Sequence, residues 1–296
     1  GGSSVAMFIA IFGKMCISLF TLLGGYGAYI SLSRAKSRTE LVSRHIFRLY
    51  NSYWKVFAIA VPVSLFLGLP HGNPFLTDLI YSFLGLRFTY CDEWWFVTPF
   101  AVLTVFSPLI ADFTDRRNAS FQSSLLWIIC ANAAIYYIIP PLMRTPALAE
   151  FSGTVFWTEV YTAMTLLPAY ALGAVLAKHN VLSAVKAHCR AGRTLCIPAA
   201  LIVLCALLYI HPFNWLAYDF INSAVFIMCI LALLGSRIGA LITPVLIKLG
   251  EESTCMWLVH TLLCYKWCQK LVYAPKYAVL IFSGKIVAPS AAGSSC

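Results

Sequence analysis

The chain has 296 residues, 60% of them hydrophobic and only 11% charged, with a mean hydropathy of +0.81. A soluble domain carries roughly 25% charged residues, so a single water-soluble core this apolar would lack the polar surface to cover it. The net charge of +10 sits in short segments between apolar runs. The positive-inside rule accounts for that distribution, and no nucleic-acid partner is needed.

In a bilayer every backbone N–H and C=O must pair within the protein, so only helices or closed barrels can span it. The apolar stretches lack the period-two alternation of barrel strands. The expected fold class is therefore all-α, a polytopic membrane helix bundle. At about 20 apolar residues per crossing, eight complete spans are predicted: Val5–Ser31, Trp54–Leu69, Trp94–Ala111, Gln122–Leu142, Phe156–Ala177, Thr194–Ile210, Tyr218–Gly235 and Ser253–Cys268. A partial ninth begins near Tyr277 and breaks at Ser283. Pro62 is expected to kink the second span. Phe75–Leu86 and Ile238–Leu249 read as interfacial or re-entrant helices.

Fourteen Lys and Arg residues fall in the segments after the first, third, fifth and seventh spans, and five fall in the alternate ones. The richer set is read as cytoplasmic, which places segments 33–53, 112–121, 178–193 and 236–252 on one face. The first span then runs from outside to inside, without an initiator Met or a basic leader. That arrangement predicts one more helix upstream and a chain truncated at both ends. Residues 5–282 would form the membrane domain, residues 1–4 and 283–296 would be linker-like, and an open apolar groove would lie beside the first span. The 11 cysteines form no CxxC pair and no Cys/His cluster, so neither a metal nor a bound cofactor is expected.

Several residues stand out chemically. Arg44 and Arg48 are four apart in RHIFRLYNSYW and share a helix face. They suit bidentate contact with phosphate, but they equally suit a positive-inside anchor. Tyr50, Tyr53 and Trp54 follow as an aromatic belt. Lys14 lies either at depth in the first span, facing a partner, or ahead of a span that starts near Cys16. Asp92 and Glu93 beside Trp94 and Trp95 form either a helix start or the rim of an external site, and Glu159 opens the fifth span on the same side. His260 sits midway along the last complete span. An imidazole there is costly against lipid, so it should face the bundle interior, toward the same cavity as Trp95 and Glu159. By helical spacing Leu258 and Leu262 fall on other faces and could meet lipid.

Five segments, in order, resemble the type-3 membrane acyltransferase family: KMCISLFTLLGGYGAYISLSR, RHIFRLYNSYW, CDEWWFVTPFAVLTVFSPLI, LLPAYALGAVLAKHNVL and LGEESTCMWLVHTLLCYKW. Gly24, Gly25, Tyr26, Trp95, Phe96, Pro108, Ser253, Trp257 and His260 carry the likeness, with Gly24 where the family often has Ser. The resemblance implies about ten helices in the intact parent and a multi-pass protein of the bacterial inner membrane. It implies transfer of an acyl group, often acetyl, from cytoplasmic acyl-CoA to a hydroxyl of a sugar or cell-surface glycan. The partners implied are membrane lipid, acyl-CoA and a glycan acceptor.

The family's leading catalytic His lies in a helix upstream of the matching part, and there it would act as general base. By this analogy Arg44 and Arg48 hold CoA phosphates, while Trp94, Trp95, Glu159 and His260 line the acceptor side. The alternatives are a transporter or flippase of a glycan or lipid-linked precursor, with Lys14 and Glu159 as intramembrane binding groups, and a non-catalytic scaffold. A transporter would show paired interrupted helices in matching halves, and the sequence shows no such pairing.

Overall fold

The computed structural model describes residues 14–68, 74–116, 120–191, 193–210, 217–234, 237–267 and 269–272. Among the described residues every regular element is a helix. In chain order these are α1 (Cys16–Arg34), α2 (Arg38–Phe66), α3 (Phe75–Phe83), α4 (Val97–Arg116, entered through a 3-10 turn at Asp92–Phe96), α5 (Phe121–Met143), α6 (Val155–Lys178), α7 (Val181–Ala191), α8 (Arg193–Ile210), α9 (Asp219–Leu234), α10 (Arg237–Glu251) and α11 (Ser253–Thr261). A π-helical turn, Leu262–Trp267, continues α11.

Local chemistry sets several boundaries. Ser120 and Thr154 cap α5 and α6, each hydroxyl accepting a backbone N–H three residues on. Asn180 adopts φ 52°, the left-handed conformation that Asn tolerates, and so separates α6 from α7. Pro140 and Pro141 lack the N–H groups that would pair with carbonyls one turn earlier. The backbone of α5 relaxes there into a π turn at Ala134–Ile138.

Among the described residues four helices are long and apolar enough to cross a membrane: Cys16–Arg34, Asp92–Asp115, Phe121–Met143 and Val155–Lys178. The apolar parts of α8, α9 and α11 are shorter, at Cys196–Leu207, Asp219–Leu234 and Ser253–Cys264. The predicted second span falls in α2, a 29-residue helix whose first half is charged and whose interior contains Pro62. The partial ninth span and any segment before Lys14 lie outside the described residues.

The chain divides into two compact units. The first combines residues 1–42 with 102–242, and the second combines 43–101 with 243–296. In the first unit α1 lies against α6, and both touch α9. The contact is made backbone to backbone. A Cβ on Gly25 would collide with the Tyr170 carbonyl, and one on Gly173 with the Leu22 carbonyl. Without a hydrophobic drive between helices in lipid, small residues of this kind let the backbones approach and gain dispersion energy.

Polar contacts mark the two ends of this unit. At one end Tyr29 donates to Asp115 (2.7 Å), Arg38 pairs with Asp112 (2.5 Å) and Lys178 donates to the Thr114 carbonyl (2.5 Å). The C-terminal ends of α1, α4 and α6 therefore coincide. At the other end Asn132 donates to the Ala217 carbonyl (2.7 Å) and Tyr161 to the Ile135 carbonyl (3.3 Å). The C-terminal ends of α1, α4 and α6 thus lie at one end of this unit, and an apolar groove is lined by α4, α5 and α6.

Two outcomes follow. Gly173→Ala should cost about 1–3 kcal/mol, as overpacking does, while Gly27→Ala, with nothing within 4 Å of its Cβ, should be neutral. Thermal denaturation in detergent measures both, and equal melting temperatures would contradict the close approach. For the ends, Ser37→Cys and Ser183→Cys should label with an impermeant maleimide from one side, and Thr145→Cys from the other. Labelling of Ser37→Cys and Ser183→Cys from opposite sides would overturn the alternation.

Candidate functional site

The second unit is organised by aromatic donors on α2. Tyr50, Tyr53 and Trp54 donate to the carbonyls of Leu84, Ser82 and Phe83 at the end of α3. The last carbonyls of a helix have no partner within it, so three side chains supply the donors here. Trp54 also stacks on Phe83 at 5.2 Å. These rings sit where an aromatic belt is expected, yet the contacts they make are with α3.

Tyr53 meets Trp94 edge-on at 5.2 Å, and both are fully buried. The Trp94 indole donates to the Leu258 carbonyl (3.0 Å), which fastens the Asp92–Phe96 turn to α11. Tyr53 and Trp94 thus expose no atom of their own and act as the wall behind the site. Trp95 is half-buried and contacts Phe96 (5.9 Å), which in turn contacts Trp257 (5.5 Å).

His260 is half-buried. Its Nδ1 lies 2.6 Å from the Trp257 carbonyl, and its Nε2 lies 3.2 Å from the Thr261 hydroxyl. A carbonyl only accepts, so Nδ1 carries the proton and Nε2 presents its lone pair. One expectation about this helix is corrected. Leu258 and Leu262 are 1% and 0% exposed, so they face the core and not lipid. Trp94 and Tyr53 pack with them in one cluster, which makes their side of α11 the buried one.

Arg44 and Arg48 are exposed one turn apart on the charged half of α2. His45 lies beside them, half-buried. Burial, then the positive charges of Arg48 and Arg44, push its imidazole below the ordinary value, so it is neutral at pH 7. Sequence reasoning passed over His45 because its burial, the largest influence on it, depends on packing. It also passed over Asp78, 1% exposed in α3, which accepts from Thr89 (2.8 Å) and Arg87 (3.5 Å) and so ties down the segment after α3.

Glu159 belongs to the first unit, in α6. It is half-buried, and its Oε2 is buried with no protein partner. Ser18 Oγ on α1 and Asn222 Nδ2 and Ser223 Oγ on α9 are likewise buried and unpartnered. These three helices pack against one another, so this unit holds unmet hydrogen-bonding capacity at several points. Lys14 is exposed in the turn immediately ahead of α1. The structure brings Trp95 and His260 into one unit and assigns Glu159 and Lys14 to the other. Among the described residues no cluster of His, Cys, Asp or Glu could hold a metal.

No curated protein and no solved structure matches the chain at significance. A family model described as an acyltransferase domain matches residues 2–288, nearly the whole chain. The chain therefore belongs to the acyltransferase 3 family.

Proposed function

We propose that this protein transfers an acyl group, acetyl among them, from acyl-CoA to a hydroxyl of a sugar or cell-surface glycan, in a bacterial inner membrane. The observation that carries the reading is the family match over residues 2–288, joined to a basic face on α2 suited to a polyphosphate donor. Arg44 and Arg48 present two guanidinium forks one turn apart. Forks of this kind pair with phosphate oxygens through two parallel hydrogen bonds.

The reaction needs little beyond positioning and one proton acceptor. The acceptor hydroxyl attacks the thioester carbonyl carbon, an O–C bond forms, the C–S bond breaks, and CoA leaves as the thiolate. The hydroxyl proton passes to a base. Within the second unit His260 is half-buried on α11, its ring held by the contact of Nδ1 with the Trp257 carbonyl. Trp95 and Trp257 are aromatic walls on which a sugar face can stack.

Arg44→Ala and Arg48→Ala should each raise KM for acetyl-CoA about tenfold, from the ~1.5–3 kcal/mol of a charged hydrogen bond. KM for acetyl-pantetheine, which lacks the nucleotide phosphates, should not change. Arg48→Lys should recover only part of the loss. Full recovery with Lys at both positions would mean that the arginines set topology alone. His260→Gln should lower kcat by ~10²-fold or more, as loss of a general base does, with an unchanged melting temperature. Unaltered kcat would remove His260 from the chemistry.

His45 adds a pH signature. Its folded value lies below the ordinary one because of burial, Arg48 and Arg44. A bound phosphate offsets those positive charges and raises it, so donor binding takes up a proton. Acetyl-CoA affinity should therefore rise as pH falls from neutral toward the His45 value. His45→Gln should flatten that slope in isothermal titration, and an unchanged slope would exclude the coupling.

A further inference from the structure

The groove in the first unit has a volume of about 780 Å³, inside the roughly 300–1,000 Å³ range of small-molecule sites. Its walls come from α4, α5 and α6, which belong to three of the four helices long and apolar enough to cross a membrane. Phe106, Leu109, Phe113, Trp127 and Phe156 line it and remain exposed, so the groove opens to the surface. Thr114 and Ser124 are its only polar lining residues, and both lie toward the end where α4 stops and α5 starts. At that end Lys178 reaches the Thr114 carbonyl, bringing an ammonium to the edge of the groove. Close by, Asp112 pairs with Arg38, and the Asp115 carboxylate accepts from the Tyr29 hydroxyl.

We infer that this groove holds an acyl chain of an anionic membrane phospholipid, with the headgroup at Lys178. The medium around spanning helices is hydrocarbon, so an open apolar groove among them is filled by a chain. The polarity gradient fixes the direction of that chain. Apolar wall extends from the N-terminal end of α6, at Phe156 and Val160, to Thr114, where hydroxyls and a cation begin. A lipid that is apolar along its tail and negative at its head matches this sequence of surfaces. A helix from a second copy of the chain would fill the volume but would set apolar side chains against Lys178. The inference stands apart from the transferase reading, since it uses neither the α2 arginines nor His260.

Native mass spectrometry of the detergent-purified chain tests it. The expected result is a monomer that retains one phospholipid after detergent exchange into a zwitterionic and anionic lipid mixture, with the anionic species several-fold preferred. Ala131 lines the groove and is exposed, so Ala131→Trp should fill the volume without breaking the core and should lose most of the retained lipid. Lys178→Gln should keep lipid but lose the headgroup preference. Leu201→Trp, at an exposed position on α8 outside the groove, should leave retention unchanged. A dimer without lipid, no retained lipid in the unaltered chain, or equal retention in Ala131→Trp would overturn the inference.

Discussion

The second unit depends on the pairing of three carbonyls. A nine-residue helix such as α3 ends with carbonyls that nothing inside it can satisfy. Tyr50, Tyr53 and Trp54 supply the donors from α2. That pairing fixes α3 against α2, and Asp78, held in α3, fixes the following segment through Thr89 and Arg87. The segment leads into the Asp92–Phe96 turn, where Trp94 meets Tyr53 and reaches the Leu258 carbonyl. His260 is two residues further along that same helix. Its position therefore rests on a chain of hydrogen bonds that begins at the end of α3.

The first unit solves a different problem with glycine. Gly25 and Gly173 bring α1 and α6 into backbone contact, which uses up one side of α6. By helical spacing Phe156, Val160, Leu167 and Ala171 lie on roughly the opposite side, and these residues line the groove. Packing α1 so closely commits the small residues of α6 to one partner and leaves the bulkier side to hold α4 and α5 at a distance. The groove follows from the same distribution of residue sizes that seals the contact with α1.

Much of this was legible in the sequence. The helical class follows from apolar runs without alternation, and the alternation of ends follows from where Lys and Arg fall. The spacing of Arg44 and Arg48 was readable because helix geometry is local. What could not be read depends on contacts distant in sequence. Leu258 and Leu262 look lipid-facing until Trp94, over 160 positions earlier, is known to cover that side. Tyr53 and Trp54 have the composition of an interfacial belt, and only the position of α3 shows what they bond. Hydropathy marks apolar runs but not where each helix ends: among the described residues four helices have the length and composition of a crossing, and the apolar parts of α8, α9 and α11 are shorter.

Buried atoms without partners bear on how the protein works. Among the described residues these include Ser18 Oγ, Glu159 Oε2, Asn222 Nδ2 and Ser223 Oγ in the first unit, and Ser82 Oγ and Tyr90 OH in the second. Each would cost about 1–3 kcal/mol if left dry, against a total folding stability of roughly 5–15 kcal/mol. A bundle that keeps all of them dry would give up much of its margin. Contact with water or a polar substrate would remove that cost, whereas the groove on the surface of the first unit is lined almost wholly by apolar side chains. The transfer proposed above, from a thioester to a hydroxyl-bearing acceptor within a membrane, would use that division. The reacting hydroxyl has to stay hydrated until it is positioned, and the surrounding helices still have to face hydrocarbon. Both demands meet on α6, which carries the unpartnered Glu159 oxygen and, in Phe156, Val160 and Leu167, part of the apolar groove.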